Sequence, residues 1–228
     1  MRQLAFELAS PPAPSLDNFV VGRNAELIAA LRSLARLEAH EHFVYFWGPA
    51  GCGKSHLIAA IVDATRAAGR QILCAGSERQ LVAALGDQPL AGLAVDDVHL
   101  LSAQGQAELF RRYNMVREQA GILVASGDAP PGRLRLRADL VTRLGWGLVY
   151  QVHPLSDREK AAALAEHARA RGLPVATEVI DYVLARQSRD LPHLIALIDA
   201  LDRYSLESKR PITVPLVREL LAGSVEGP

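Results

Sequence analysis

Cysteine is almost missing: the 228 residues hold two, Cys52 and Cys74. Two thiols with no metal-ligand cluster around them exclude a disulfide framework and a cysteine-built zinc site. Net charge is missing as well, because 25 acids balance 25 lysines and arginines. No global positive field is available to hold duplex nucleic acid by counterion release, so a DNA contact has to be local or indirect. The N-terminus lacks a charged-then-apolar signal pattern, and no apolar run approaches the roughly 20 residues of a membrane helix. These absences predict a reducing, cytoplasmic setting and no membrane partner. Hydrophobic residues fill half the positions, enough for the core of one large domain or of a domain plus a smaller one.

The most informative stretch runs from residue 43 to 68, where FVYFW leads into GPAGCGKS, Gly48 to Ser55, and then into HLIAAIVDATRAA. That order reads strand, glycine loop, helix, and it satisfies the P-loop pattern G-x-x-x-x-G-K-[ST] in the setting that gives the pattern meaning. Gly51 and Gly53 let the backbone turn its amides inward around a β-phosphate at the positive end of the helix. Lys54 then reaches the β- and γ-phosphates, and Ser55 offers its hydroxyl to Mg2+. Pro49, Ala50, Gly51, Cys52, Gly53, Lys54, Ser55 and His56 are the expected nucleotide-contacting segment.

Downstream, apolar runs alternate with helical patterns, which predicts an α/β fold with a parallel sheet flanked by helices. Strands are expected at 71–75, at the run LAGLAV, at ILVAS and at 148–152, and helices from a cap at Asn24, at 78–85 and at 103–119. On the last of these, Leu109, Phe110 and Met115 are expected inward and Arg111, Arg112 and Arg117 outward. LAGLAV ends at Asp96 and Asp97, an acidic pair at the carboxyl end of a buried strand. With a P-loop upstream, Asp96 is expected on the magnesium shell and Asp97 beside the attacking water. ILVAS ends at Gly127, Asp128, Ala129, Pro130 and Pro131, where Asp128 reads equally as a γ-phosphate neighbour or as turn chemistry. Residues 133–147 concentrate Arg133, Arg135, Arg137 and Arg143, either a solvated face or the source of a guanidinium for a neighbour's phosphate.

Beyond Pro154 the pattern is helical. Ser156 and Glu159 form a capping box, Gly172 ends that helix, Thr177 caps a second and Asp190 a third, and a short helix follows Pro215. The expected division is a tail at 1–15, a nucleotide-binding base at 16–154 and a small helical lid at 155–228. In the tail, Gln3, Leu4, Phe6 and Leu8 read either as a linear motif for a partner's pockets or as a terminus that frays or joins the protein's own sheet.

With these parts in this order, the chain resembles an AAA+ P-loop ATPase core of the DnaA type, from Leu16 to Ala222. LDNFVVG is similar to that family's adenine-side segment, which implies Val20 and Val21 at the base. VDDVH is similar to its Walker B, SGDAPP to sensor 1, which implies Asp128, and TRLGWGL to its arginine-finger box, which implies Arg143 acting in trans. The absence of a helix-turn-helix after the lid brings the Hda-type regulatory inactivators closer. That resemblance turns QLAFEL into a sliding-clamp peptide.

The implied function is a regulator of replication initiation that binds ADP or ATP with Mg2+. The implied partners are DnaA, the clamp and, through the clamp, DNA, with a homo-oligomer also open. Pro192 stands where such lids place a sensor 2 arginine, and a proline cannot touch a γ-phosphate, so weak or no intrinsic hydrolysis is expected; Arg189 is the nearby substitute. The alternative is a helicase-loader or transposition-helper AAA+ ATPase that remodels a partner on single-stranded DNA. A small-molecule kinase would need phosphate-facing lid arginines that the sequence does not show.

Overall fold

The computed structural model describes residues 13–83, 91–186 and 190–223. Gln3, Leu4, Phe6, Leu8 and Arg189 lie outside the described residues. The chain divides into two compact units, the first spanning Pro14–Pro154 and the second holding the helices after Leu155. Among the described residues, no helix is long and apolar enough to cross a membrane.

In chain order the first unit is α1 (Ala25–Arg36), β1 (Phe43–Trp47), α2 (Lys54–Ala67), β2 (Ile72–Ala75), α3 (Glu78–Ala83), β3 (Gly92–Val95), α4 (Ala103–Glu118), β4 (Ile122–Gly127), α5 (Ala138–Leu144) and β5 (Leu148–Gln151). The strands form one sheet in the order β2-β3-β4-β1-β5, every pairing parallel. β3 and β4 are buried at every position, as interior parallel strands covered on both faces must be, while the edge strand β5 alternates. Successive residues of β1 serve opposite layers. Val44 and Phe46 pack with Leu27, Leu31, Leu57 and Ile61 of α1 and α2, whereas Tyr45 joins Leu109, Tyr113, Leu140 and Leu144 of α4 and α5.

Several side chains depart from the sequence expectation. Asn24 stands at the N-cap position of α1 but makes no side-chain cap bond. Its amide instead donates to the His153 carbonyl (3.0 Å) and accepts from the His153 N–H (2.7 Å), 129 residues away. This pair fastens the start of α1 to the chain as it leaves β5. Asn24→Ala strips both partners from that backbone, and we expect a loss of about 3 kcal/mol from two orphaned polar groups. Urea denaturation would show it as a lower midpoint at unchanged slope, and a midpoint at the wild-type value would refute the fastening role.

Arg112, expected outward, is 2% exposed. Glu108, one turn earlier on the same helix, faces its guanidinium, which makes burial of the long stem tolerable. Phe110 and Met115 are only half-buried.

The second unit comprises α6 (Asp157–Ala170), α7 (Thr177–Arg186), α8 (Leu191–Ser208) and α9 (Val214–Gly223) around a core that includes Leu164, Val183, Leu194, Ile198, Leu201 and Val217. The capping box of Ser156 and Glu159 is fully formed. Gly172 takes φ of 69°, a left-handed turn open to glycine without strain. Pro192 lies in the first turn of α8, as does Pro215 in α9, so α9 starts before its proline rather than after it. No intrahelical donor is needed there.

Candidate functional site

β1 feeds the glycine loop and α2 carries it away, with Gly53 as N-cap of α2 at φ of 101° and Gly51 at φ of 73°. Both conformations favour glycine, and they are what allow the loop amides to turn toward one centre. A Cβ at Gly53 would lie 2.8 Å from the Phe19 ring, so glycine is needed for space as well. Pro49, Ala50, Gly51 and Ser55 face solvent, whereas Lys54 is only 8% exposed. Its ammonium donates to the carbonyls of Gly48 (3.0 Å) and Pro49 (3.2 Å) and stands 3.9 Å from Asp97. Cys52 is buried beneath the loop, and burial pushes its thiol up despite the nearby Lys54 ammonium. It is a packing residue, not a nucleophile.

The acidic end is held by a residue that sequence reading passed over. Ser126, fully buried on β4, donates its hydroxyl to Asp96 Oδ1 and accepts the Asp97 N–H at 2.9 Å. The register pairs Val95 with Ala125, so the residues that follow, Asp96 and Ser126, come side by side. Asp97 adopts a left-handed conformation with φ of 46°, uncommon for a side-chain-bearing residue and frequent at functional turns. Its carboxylate lies 3.9 Å from His99 Nδ1, and His99 Nδ1 lies 3.9 Å from Asp128 Oδ1. Tyr45 donates its hydroxyl to the Ala129 carbonyl (2.6 Å), tying down the turn that carries Asp128. Burial, and then the charges of Asp128 and Asp97, push its pKa up, so it stays a donor.

Lys54, Asp97 and Asp128 are thus gathered at the carboxyl ends of the adjacent strands β1, β3 and β4, with Asp96 pinned by Ser126. This is where α/β sheets bind ligands. Among the described residues, no group of three or more His, Cys, Asp or Glu side chains is placed to hold a metal alone. Ser55 and Asp96 are oxygen donors of the kind that would hold Mg2+. Ser126→Ala is expected to weaken Mg2+-dependent nucleotide affinity roughly tenfold through the loss of the bridging hydroxyl. Calorimetry with and without a chelator reads this directly; an equal loss in both would place the serine's effect elsewhere.

Phe19 and His56 form a tilted ring pair at 5.5 Å, and the His56 Nε2–H donates to the Ser15 carbonyl (3.0 Å). Val21 packs on the same apolar layer, half-buried like Val20. The segment from Ser15 to Val21 therefore lies along the start of α2, beside the phosphate loop.

Arg143 lies apart from this cluster. It is the penultimate residue of α5, and the chain then runs through Trp146 to Gly147, whose backbone abuts Phe43 at the beginning of β1. That is the amino-terminal side of the sheet, away from the loop that follows Trp47. The Arg143 guanidinium stacks over Phe110 (4.5 Å), Tyr113 (5.2 Å) and Trp146 (5.2 Å). A cavity of about 290 Å³ opens on this side, lined by His42, Phe43, Tyr113, Arg117 and Trp146 among others, and is not the phosphate site.

Residues 157–221 match the family model described as the lid domain of Hda. The chain is similar in structure to domain III of the Thermotoga maritima replication initiation protein DnaA. Identity there is 21% and the TM-score 0.74, over 95% of this chain and 98% of that one. Against AMPPCP-bound DnaA from Aquifex aeolicus the values are 22% and 0.69, over 88% and 71% of the respective chains. A Thermotoga maritima RuvB mutant follows at 20% and 0.63, over 90% and 70%.

Proposed function

We propose, from the premise that the chain is a DnaA-type AAA+ fold carrying an Hda-type lid, that it regulates replication initiation by accelerating hydrolysis of the ATP held by DnaA. The observation that supports this reading is the placement of Arg143 on α5, which leads to Gly147 at the amino-terminal side of the sheet, away from the protein's own phosphate loop, where a finger acting on a neighbour rather than on its own nucleotide would be expected. A cation in a dry interface stabilises charge spreading over the transferring γ-phosphoryl.

In this reading the loop amides from Gly48 to Gly53 and the Lys54 ammonium bind ADP or ATP, with Val20 and Val21 at the adenine. Mg2+, when bound, would supply positive charge against the phosphates. Ser55 and Asp96 hold that ion, Asp97 orients water, and Asp128 faces the γ-phosphate side. Slow turnover of the protein's own nucleotide is part of the proposal, since Pro192 supplies no cation at the sensor 2 position. The tail residues Gln3, Leu4, Phe6 and Leu8 dock on the sliding clamp, which raises the effective concentration of the finger near DNA-bound DnaA.

The test is hydrolysis of DnaA-bound ATP in the presence of DNA-loaded clamp, with and without this protein. Acceleration that depends on the first ten residues supports the reading. Rapid turnover by the protein alone, with no effect on DnaA, would instead favour a self-sufficient motor.

A further inference from the structure

Several guanidiniums of this chain are held by acids, Arg32 by Asp17, Arg112 by Glu108, Arg137 by Asp139, Arg169 by Glu166 and Arg210 by Glu219, while Arg186 and Arg218 lie over the Tyr182 ring. Arg143 is held differently. Among the described residues no carboxylate lies within 4.0 Å of it, and three aromatic rings do the holding. Its Nη1 is buried and has no hydrogen-bond partner. Trp146 carries a second cation, Arg117, at 5.1 Å, so two guanidiniums share one indole.

The chemistry separates these two ways of fixing an arginine. A carboxylate fixes the side chain by consuming its N–H donors and cancelling its charge, and it would compete with any phosphate that approached. A ring face attracts the cation through its quadrupole and leaves the donors in the guanidinium plane free. An orphaned buried donor is uncommon in a folded protein and calls for an explanation. The ring faces supply one, since they hold the cation and its desolvated Nη1 without a competing acceptor.

We propose that Tyr113 and Trp146 are positioning residues for Arg143, an aromatic seat that orients the guanidinium without neutralising it. This rests on the finger reading above. Tyr113 is the fixed wall, buried at 1% exposure and braced edge-on by Phe43 at 4.7 Å between ring centres. Trp146 is the outer wall, 54% exposed, so replacing it changes the seat with little cost to the fold. Arg117, 5.1 Å from the same indole, keeps the local charge positive and disfavours a stray cation in the arginine's place.

The experiment compares Trp146→Leu with Trp146→Phe in two measurements. In the first, hydrolysis of DnaA-bound ATP with DNA-loaded clamp is followed as the regulator is titrated. Trp146→Leu is expected to lower the maximal stimulated rate at least tenfold while the half-saturating concentration and the protein's own ADP affinity stay within twofold. Trp146→Phe, which keeps a ring, is expected to retain at least half the rate. In the second, the Arg143 Nε–H signal in the ¹H–¹⁵N spectrum, assigned by its loss in Arg143→Ala, is expected upfield from ring currents. It should move toward the position of a free arginine in the Leu variant alone. Wild-type stimulation by Trp146→Leu, or an unshifted Arg143 signal in the wild-type protein, overturns the seat. Equal losses in the Leu and Phe variants overturn it too, because the indole would then act on the partner directly. Arg143→Ala that stimulates normally overturns the finger reading, and the ring-current shift then still reports whether the stacking exists.

Discussion

An Arg143→Ala protein is expected to bind its own nucleotide normally and yet to leave DnaA-bound ATP hydrolysed about 10³-fold more slowly than the wild-type chain does, the lower end of what a finger contributes. The selectivity of that loss follows from where the residue sits. The P-loop, Asp96, Asp97 and Asp128 belong to the carboxyl ends of β1, β3 and β4, while Arg143 lies on α5, which leads through Trp146 to Gly147 against Phe43 at the other side of the sheet. Truncating it removes a charge that touches three rings and no member of the phosphate site. Stability should change little, because the orphaned Nη1 disappears together with the stacking that held it. The decisive comparison is single-turnover hydrolysis at saturating regulator, alongside ADP affinity by calorimetry. Undiminished stimulation would remove the finger assignment. A matched fall in ADP affinity would mean that the residue serves its own site.

Lys54→Ala is expected to weaken the protein's own ADP and ATP affinity by about 100-fold or more. Charge-assisted bonds from an ammonium to two phosphates are worth about 1.5–3 kcal/mol each. The side chain is already drawn in, with Gly48 and Pro49 carbonyls as acceptors and Asp97 at 3.9 Å. A flexible lysine stem therefore loses little further freedom when phosphate replaces those carbonyls. The same loss has a thermal signature: at ADP equal to 100 times the wild-type dissociation constant, ligand binding adds about 2.7 kcal/mol of stability. The variant at that concentration should gain less than about 0.5 kcal/mol. A nucleotide-induced rise in Tm that survives the substitution would show that the loop is not the binding site.

How much of this was visible in the linear chain depends on whether the signal was contiguous. The glycine loop, the acidic pair and the capping box of Ser156 and Glu159 each compress their chemistry into a few neighbouring residues, and the fold class follows from alternating strands and helices. Ser126 could not be found that way. It is a small polar residue in an apolar run, and only the pairing of β3 with β4 gives it Asp96 and Asp97 as partners. Asn24 misled for the same reason, since a cap-forming residue before a helix is a local signal and a backbone partner 129 residues away is not. Arg112 reads as surface by type, but its acid one turn earlier makes burial permissible. The rings around Arg143 come from α4 and from the turn after α5, and only the packing of those two elements makes them a set.

The reciprocal amide bond between Asn24 and His153 also bears on how the protein is made. During synthesis the first helix emerges long before its partner, so the Pro14–Pro154 unit cannot be sealed until the end of β5 has left the ribosome. Closing so wide a sequence interval is entropically slow. Nascent chains stalled short of His153 should therefore remain protease-sensitive around α1, and those extended past it should become resistant in a single step.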